Sequence, residues 1–193
     1  MLNPKCIVAL RYVFMLLVTI TALAARARAT DPCDLSAIPE EVQTILQSSY
    51  PDWQPERVEH LYDDDRQFWI KVHPNDCPGI AIGHFESNTQ LSYALLLISK
   101  PDRKRPGLRI LVFSRAGATA PYVSHLLSKW NIGLFYEGSD QVIATVPPGV
   151  YKEAIGPHKA QIDLDGLWYE TMEKGAMLYY WKGGRYHELV TSD

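Results

Sequence analysis

The segment from residue 160 to the C-terminus constrains the fold of this chain most strongly. It contains short strand-like runs separated by the pairs Asp165-Gly166, Lys174-Gly175 and Gly183-Gly184. Pairs of this kind permit the positive φ angles that two-residue hairpins require. The segment therefore predicts an antiparallel meander of four strands. These strands would span residues 161–164, 167–173, 176–181 and 185–190.

Further strand-like runs precede this meander, over residues 80–85, 91–98, 108–113 and 141–146. The first three are joined by loops that are too short for a parallel crossover, which favours antiparallel pairing. Residues 67–72 also alternate as a strand does. Asp63, Asp64 and Asp65 precede them, and we interpret these three as a solvated hairpin loop in preference to a cation site.

Two segments have helical periodicity. Ile38, Val42, Ile45 and Leu46 recur at helical spacing beside Pro39-Glu40-Glu41, and Tyr50-Pro51 ends the pattern. Residues 121–130 predict a second helix, with one apolar face formed by Val123, Leu126, Leu127 and Trp130. Together, these patterns predict a single α+β domain over residues 30–193. It would have an antiparallel sheet of about seven or eight strands, two helices on one side and a C-terminal β-meander.

The first 29 residues have the layout of a secretory signal peptide. They contain four basic residues, no acidic residue, an apolar run over residues 12–25 and the small-residue pattern Ala27-Arg28-Ala29. The alternative is a membrane anchor, but the uninterrupted apolar core is about 14 residues, whereas a spanning helix needs about 20. We therefore expect a cleaved leader over residues 1–29, a periplasmic or secreted protein beginning at Thr30, and no membrane association afterwards.

Removal of this leader changes the charge of the protein. The whole chain of 193 residues has a formal net charge of −3, and the domain without its leader would have about −7. A nucleic-acid-binding protein needs a cationic surface for its phosphate contacts. The composition therefore excludes nucleic acid as the expected partner.

The cysteines support export. Cys6 would leave with the leader, so that Cys33 and Cys77 remain. An even number of cysteines in an exported protein predicts a disulfide, here closing a loop of about 44 residues. Two free thiols or a metal site are the alternatives. No histidine stands near the cysteines at zinc spacing, so we predict no metal site.

Motifs of catalysis are scarce. The chain has no Gly-x-Ser-x-Gly elbow, no phosphate-binding Gly-rich loop and no His-Glu-x-x-His pattern. A hydrolytic triad could be formed from Ser114, Ser124 and His125. The serines, however, lack the strained strand-to-helix turn that presents a hydrolytic nucleophile. We therefore predict no cofactor and no catalytic residue from motifs.

One segment resembles a known repeat. His84-Phe85-Glu86-Ser87-Asn88-Thr89-Gln90-Leu91-Ser92-Tyr93-Ala94-Leu95 resembles the FG-GAP type, in which an acidic turn between two strands holds calcium. Only Glu86 and Asn88 of this turn keep useful oxygen ligands, fewer than calcium prefers. The match implies mainly a strand-turn-strand frame. More broadly, the leader, the Pro-Glu-Glu helix, the Cys-Pro-Gly-Ile strand and the Val-Thr-Ser-Asp end resemble small exported bacterial proteins of unassigned function.

The C-terminal segment is rich in aromatic residues. Alternation places about half of them on each face of the sheet, and an uncovered face would expose a strip of tyrosine and tryptophan typical of binding surfaces. The alternative is that both faces are packed. We predict a non-enzymatic binding protein whose partner is a protein or another component of the envelope. An inhibitor or an immunity protein would be one kind of such a binding protein. The binding residues would be Tyr169, Tyr179, Trp181 and Tyr186.

Two other functions stay open. One is a small periplasmic hydrolase in which His84, Glu86 or His125 converges with another polar group in a deep pocket. The other is a purely structural envelope component.

Overall fold

A computed structural model describes residues 31–100, 107–131 and 139–191. The predicted leader over residues 1–29 lies outside the described residues and stays a prediction. The described part has the predicted α+β fold, with two α-helices and eleven strands whose pairings are all antiparallel.

The first sheet has five strands. These are β1 (Trp53–Pro55), β2 (Ile80–Gly83), β3 (Ser92–Ser99), β4 (Gly107–Ser114) and β5 (Val123–Asn131). Their order is β1-β3-β4-β5, with β2 also paired to β3. The short connections from β2 to β3 and from β3 to β4 allow this antiparallel order, as the sequence predicts.

The second sheet has four strands, in the order β11-β10-β9-β6. These are β6 (Gln141–Val146), β9 (Gly166–Thr171), β10 (Gly175–Lys182) and β11 (Arg185–Thr191). A separate hairpin pairs β7 (Gly149–Lys152) with β8 (Lys159–Ile162). The strands thus form three sheets instead of one. The meander has three strands instead of four, because β8 pairs with β7 and not with β9.

The two larger sheets pack face to face. Leu96 and Ile110 of the first sheet and Ile143 and Leu167 of the second are fully buried in one cluster, together with Phe85. Alternation along each strand directs these side chains into the space between the sheets. This shared core fixes the relative position of the two sheets.

Helix α1 (Glu40–Ser49) covers the outer face of the first sheet. Its Val42 and Leu46 pack in one cluster with Leu95 and Leu111. Glu40 and Glu41 lie in its first turn, where a carboxylate interacts favourably with the helix dipole. The predicted helix is therefore confirmed.

The predicted disulfide is also confirmed. Cys33 and Cys77 are bonded, and both are buried in the cluster beneath α1. The bond ties the N-terminal segment to the turn that precedes β2.

The second predicted helix is wrong, because residues 123–131 form strand β5. Val123 and Leu126, half of the expected apolar face, are exposed, and β5 pairs along its length with the buried strand β4. A β-bulge interrupts this pairing between Ile110 and Leu111. Apolar residues at spacings of three and four suit a helix, but the pairing with β4 decides the conformation.

The predicted strand over residues 67–72, with its preceding loop, is wrong as well. Asp63–Val72 form helix α2, and the three aspartates lie in its first turn. The alternating Phe68, Ile70 and Val72 are exposed, whereas Trp69 is buried with three residues from outside the helix. Those residues are Leu61, Val142 and Met172. The acidic first turn and this one anchor favour the helix. Within the described ranges, no helix is long and apolar enough to cross a membrane.

The outer face of the second sheet is covered too. Ala160 and Ile162 of β8 pack against Leu178 and Leu189, with Trp168 and Tyr180 at the edges of this cluster. The β7–β8 hairpin therefore partly covers Trp168 and Tyr180, which alternation directs away from the central core.

The two sides of the sandwich differ. On one side the sheets are joined by three hydrogen bonds: Ile143 N to the Pro78 carbonyl (2.8 Å), Thr145 Oγ1 to the Ile82 carbonyl (3.0 Å) and His84 N to Asp165 Oδ2 (2.7 Å). On the other side lie the edge strands β5 and β11. Among the described strands, β5 pairs only with β4, and β11 only with β10. In the part of the chain that the structure describes, no further strand pairs with either edge, and we call this side of the sandwich the open side.

Candidate functional site

A groove of about 770 Å³ lies on the open side, between β5 and the hairpin of β10 and β11. Its volume is within the range of small-molecule sites. The residues that line it come from both sheets: Ser124, His125, Leu126, Leu127, Tyr179, Trp181, Gly184, Arg185, Tyr186, His187 and Glu188.

The β10–β11 hairpin positions the aromatic side chains. Gly183 and Gly184 both have positive φ, 60° and 81°, as a two-residue turn between β-strands requires. This turn pairs Trp181 directly with Tyr186. Directly paired residues of an antiparallel hairpin place their side chains on the same face, here the face that looks towards β5.

Glu86 joins the two sheets at this groove. It follows β2, and its Oε1 accepts a 2.8 Å hydrogen bond from the Tyr186 hydroxyl of β11. Its Oε2 accepts a 2.7 Å hydrogen bond from Ser114 Oγ, at the end of β4. His125 Nε2 of β5 lies 3.6 Å from Glu86 Oε1. Two hydroxyl donors and an imidazole thus surround one carboxylate whose side chain is 14% exposed.

The aromatic rings pack edge to face. The Trp181 and Tyr186 rings are 5.0 Å apart at 70°, and the His125 and Trp181 rings are 5.9 Å apart at 64°. The His125 ring is also 6.0 Å from that of Tyr186. Such tilted contacts are favourable because the positive edge of one ring meets the negative face of another.

Burial changes the acidity of two tyrosines in the groove. It raises the pKa of Tyr179 to about 12, although a hydrogen bond with Ser128 opposes this shift. It also raises the pKa of Tyr186, and the negative charge of Glu86 adds to the rise. Both hydroxyls therefore stay protonated at neutral pH, and Tyr186 remains a donor to Glu86.

The four predicted binding residues have different surroundings. Trp181 and Tyr186 are partly exposed in the groove, while Tyr179 is buried and forms part of its floor. Tyr169 packs against the central core and does not line the groove. The structure therefore brings three of the four together, but as a groove between the sheets and not as a strip across one open face.

Two residues from outside the C-terminal segment contribute: His125 lines the groove, and Glu86 contacts His125 and Tyr186 without lining the groove itself. Glu86 and His125 do converge, as the hydrolase alternative requires, but His84 lies elsewhere, with its Nδ1 3.7 Å from Asp165 Oδ2. Ser114 donates to Glu86 and not to His125, so these residues do not form a nucleophile and base pair. Arg185 carried no sequence signal beyond its place in the hairpin.

No metal site is evident in the described residues, which contain no group of three histidine, cysteine, aspartate or glutamate side chains placed to hold an ion. Both oxygens of Glu86 are occupied by hydroxyl donors. The carboxylate therefore acts here as a hydrogen-bond acceptor.

Comparisons with known proteins add no family to this description. No family model matches the chain, and neither a curated protein nor a solved structure matches it. The resemblance of residues 84–95 to the FG-GAP repeat stays a prediction. The function has to be inferred from the groove itself.

Proposed function

We propose that this chain is an exported, non-enzymatic binding protein whose partner occupies the groove between β5 and the β10–β11 hairpin. The observation that carries the proposal is the preformed aromatic wall: Trp181 and Tyr186 stand beside each other, and the Tyr186 hydroxyl is fixed to Glu86 of the other sheet. The partner would be a protein or another component of the envelope, and inhibition or immunity is one form that such binding takes.

The polarity of the groove favours binding over mere packing. A core between two sheets is ordinarily apolar, and a carboxylate there costs free energy unless it is hydrogen-bonded. Here Glu86 contacts His125 and Tyr186, which line the groove, and Tyr186 also packs against the apolar central cluster. A polar network on an open side is typical of sites that select a ligand.

The rigidity of the aromatic side chains is a second observation that supports the proposed binding site. Trp181 and Tyr186 are held by ring contacts, and Tyr186 also by its hydrogen bond. Side chains that are ordered before binding lose little conformational entropy when a partner arrives.

Export is part of the proposal. The buried disulfide between Cys33 and Cys77 suits an oxidising compartment, and cytosolic proteins rarely keep one. Together with the predicted leader, it supports a periplasmic or secreted location.

Photo-crosslinking in living cells tests the binding site. A benzoylphenylalanine in place of Leu126, a residue of the groove lining that is 47% exposed, should capture the partner. The matched control places the same group at Val150 of β7, which is 60% exposed and outside the groove lining. Adding Trp181→Ala should reduce the adduct at position 126 by at least tenfold. No adduct at position 126, or equal adducts at both positions, would overturn the proposal.

A hydrolase is the second candidate, favoured by the 3.6 Å approach of His125 Nε2 to Glu86 Oε1. In this candidate, Glu86 would orient the imidazole, and His125 would remove a proton from a water molecule in the groove. Hydrolysis of a fluorogenic ester or glycoside panel that is lost in His125→Gln, but kept in Phe68→Ala on α2, would support this candidate. No turnover by the wild type would exclude those reactions.

A further inference from the structure

We infer that the ligand of the groove is an uncharged oligosaccharide; this rests on the proposed function and names the chemical class of its ligand. A sugar ring has an apolar C–H face and a rim of hydroxyl groups. It therefore needs an aromatic surface and hydrogen-bonding groups side by side.

The lining has this mixed character. Eight of its eleven residues carry a hydrogen-bonding side-chain group, which makes the groove a poor site for an apolar ligand. Four of these eight are rings with a polar atom on the edge that line the groove from β5 or from the face of Trp181: His125, Tyr179, Trp181 and Tyr186. The fifth ring, His187, stacks on Tyr180 on the other face of the second sheet. Such side chains present an apolar face and a polar rim, as a sugar does.

The charges of the lining favour an uncharged ligand. Arg185 and Glu188 are both exposed and give the lining one cation and one anion, whereas the Glu86 carboxylate already accepts hydrogen bonds from two hydroxyl groups. A phosphate or nucleic-acid site would gather several cations, and a site for a basic peptide would gather carboxylates. A guanidinium and a carboxylate close to aromatic rings instead offer both donors and acceptors to hydroxyl groups.

The arrangement also leaves room for a chain of sugars. The groove lies along the open side of the sandwich, and a Cβ added at Gly184 would meet no atom within 4 Å. Glu188 lies two residues beyond Tyr186 on β11 and therefore shares its face. A bound oligosaccharide would thus stack on Trp181 and Tyr186 and extend along β11.

Titration of the isotope-labelled protein with chitotetraose and with maltotetraose, followed by nuclear magnetic resonance, tests this inference. We expect at least one of these neutral sugars to shift the Trp181 indole N–H saturably, with a Kd of about 0.1–1 mM. In Trp181→Ala, whose binding is followed through the backbone amide signals that shift in the wild type, the affinity should fall at least tenfold. Phe68→Ala removes an exposed ring of α2, 55% exposed, and should leave the Kd unchanged.

Three outcomes overturn the inference. One is the absence of saturable shifts with both sugars, another is equal binding by Trp181→Ala, and the third is tighter binding of an uncharged hexapeptide than of either sugar. If the crosslink at position 126 persists in any of these cases, the groove is still a binding site and only the ligand class is wrong. If neither sugar nor crosslink is found, both proposals fail.

Discussion

The Tyr186 hydroxyl donates a 2.8 Å hydrogen bond to Glu86 Oε1 and thereby links the C-terminal strand of one sheet to the turn after β2 of the other. The two residues are 100 positions apart in the chain. On the opposite side of the sandwich, hydrogen bonds from Ile143, Thr145 and His84 perform the same linkage. Glu86 therefore holds the sheets at the groove while leaving that side open.

Removing this link should destabilise the protein. In Tyr186→Phe, the partly buried carboxylate loses one of its two hydroxyl donors. We expect the free energy of unfolding to fall by about 1.5–3 kcal/mol, as for other hydrogen bonds to charged groups. Urea unfolding measures this loss. Tyr62→Phe, at a side chain that is 42% exposed, should change stability by less than about 0.5 kcal/mol. Equal effects of the two changes would contradict the assigned role of Tyr186.

The alkaline stability should depend on Tyr179. Its pKa is about 12 in the folded protein, because burial disfavours the phenolate, and about 10 in the unfolded chain. The unfolded state therefore loses its proton first, and the free energy of unfolding falls as pH rises from about 10 towards about 12. This contribution amounts to about 2 kcal/mol. Urea unfolding at about pH 9 and about pH 11.5 should show a smaller fall in Tyr179→Phe than in the wild type.

Gly79 should tolerate no side chain. A Cβ at this position would lie 2.2 Å from the carbonyl oxygen of Glu56, a backbone atom that cannot move aside alone. We expect Gly79→Ala to lower the free energy of unfolding by about 3 kcal/mol. At Gly117, a Cβ would meet no atom within 4 Å, so the matched variant Gly117→Ala should lower the free energy of unfolding by less than about 1 kcal/mol. Similar melting temperatures for the two variants would contradict the packing described for this turn.

The disulfide should make a large contribution to stability. Its loop spans 44 residues, and in the chain-entropy model such a cross-link is worth about 3–4 kcal/mol. We expect this loss in the double variant Cys33→Ser/Cys77→Ser, measured by urea unfolding without reductant. Cys6→Ser, in the predicted leader, is the control and should leave stability unchanged. A wild type that reductant does not destabilise would argue against the bond.

Export and cleavage should produce a protein that begins at Thr30. N-terminal sequencing and cell fractionation test this expectation directly. A bulky residue in Ala29→Tyr should block cleavage, because the site requires small residues. Recovery of the uncleaved wild-type chain from the cytoplasm would reject both the leader and the proposed location.

Local signals in the sequence determined several elements. The Gly183-Gly184 pair specifies a two-residue turn wherever the chain is placed, because glycine tolerates positive φ. Helix α1 could be predicted from the periodicity of its apolar residues. The bond between Cys33 and Cys77 could be predicted because the chain has one other cysteine, Cys6, which lies in the predicted leader. Short loops between strand-like runs were sufficient to predict antiparallel pairing.

Only the tertiary structure decided the rest. Residues 67–72 alternate as a strand does, but they form a helix whose Trp69 is anchored among residues distant in the sequence. Residues 123–131 have a helical apolar pattern, but pairing with β4 makes them a strand. The division into two sheets also depends on such contacts. Glu86, His125 and Trp181 come from separate segments, and they meet only because the sheets pack face to face and leave one side open. Turn chemistry acts over a few residues, whereas a site of this kind arises from packing between residues that the sequence keeps far apart.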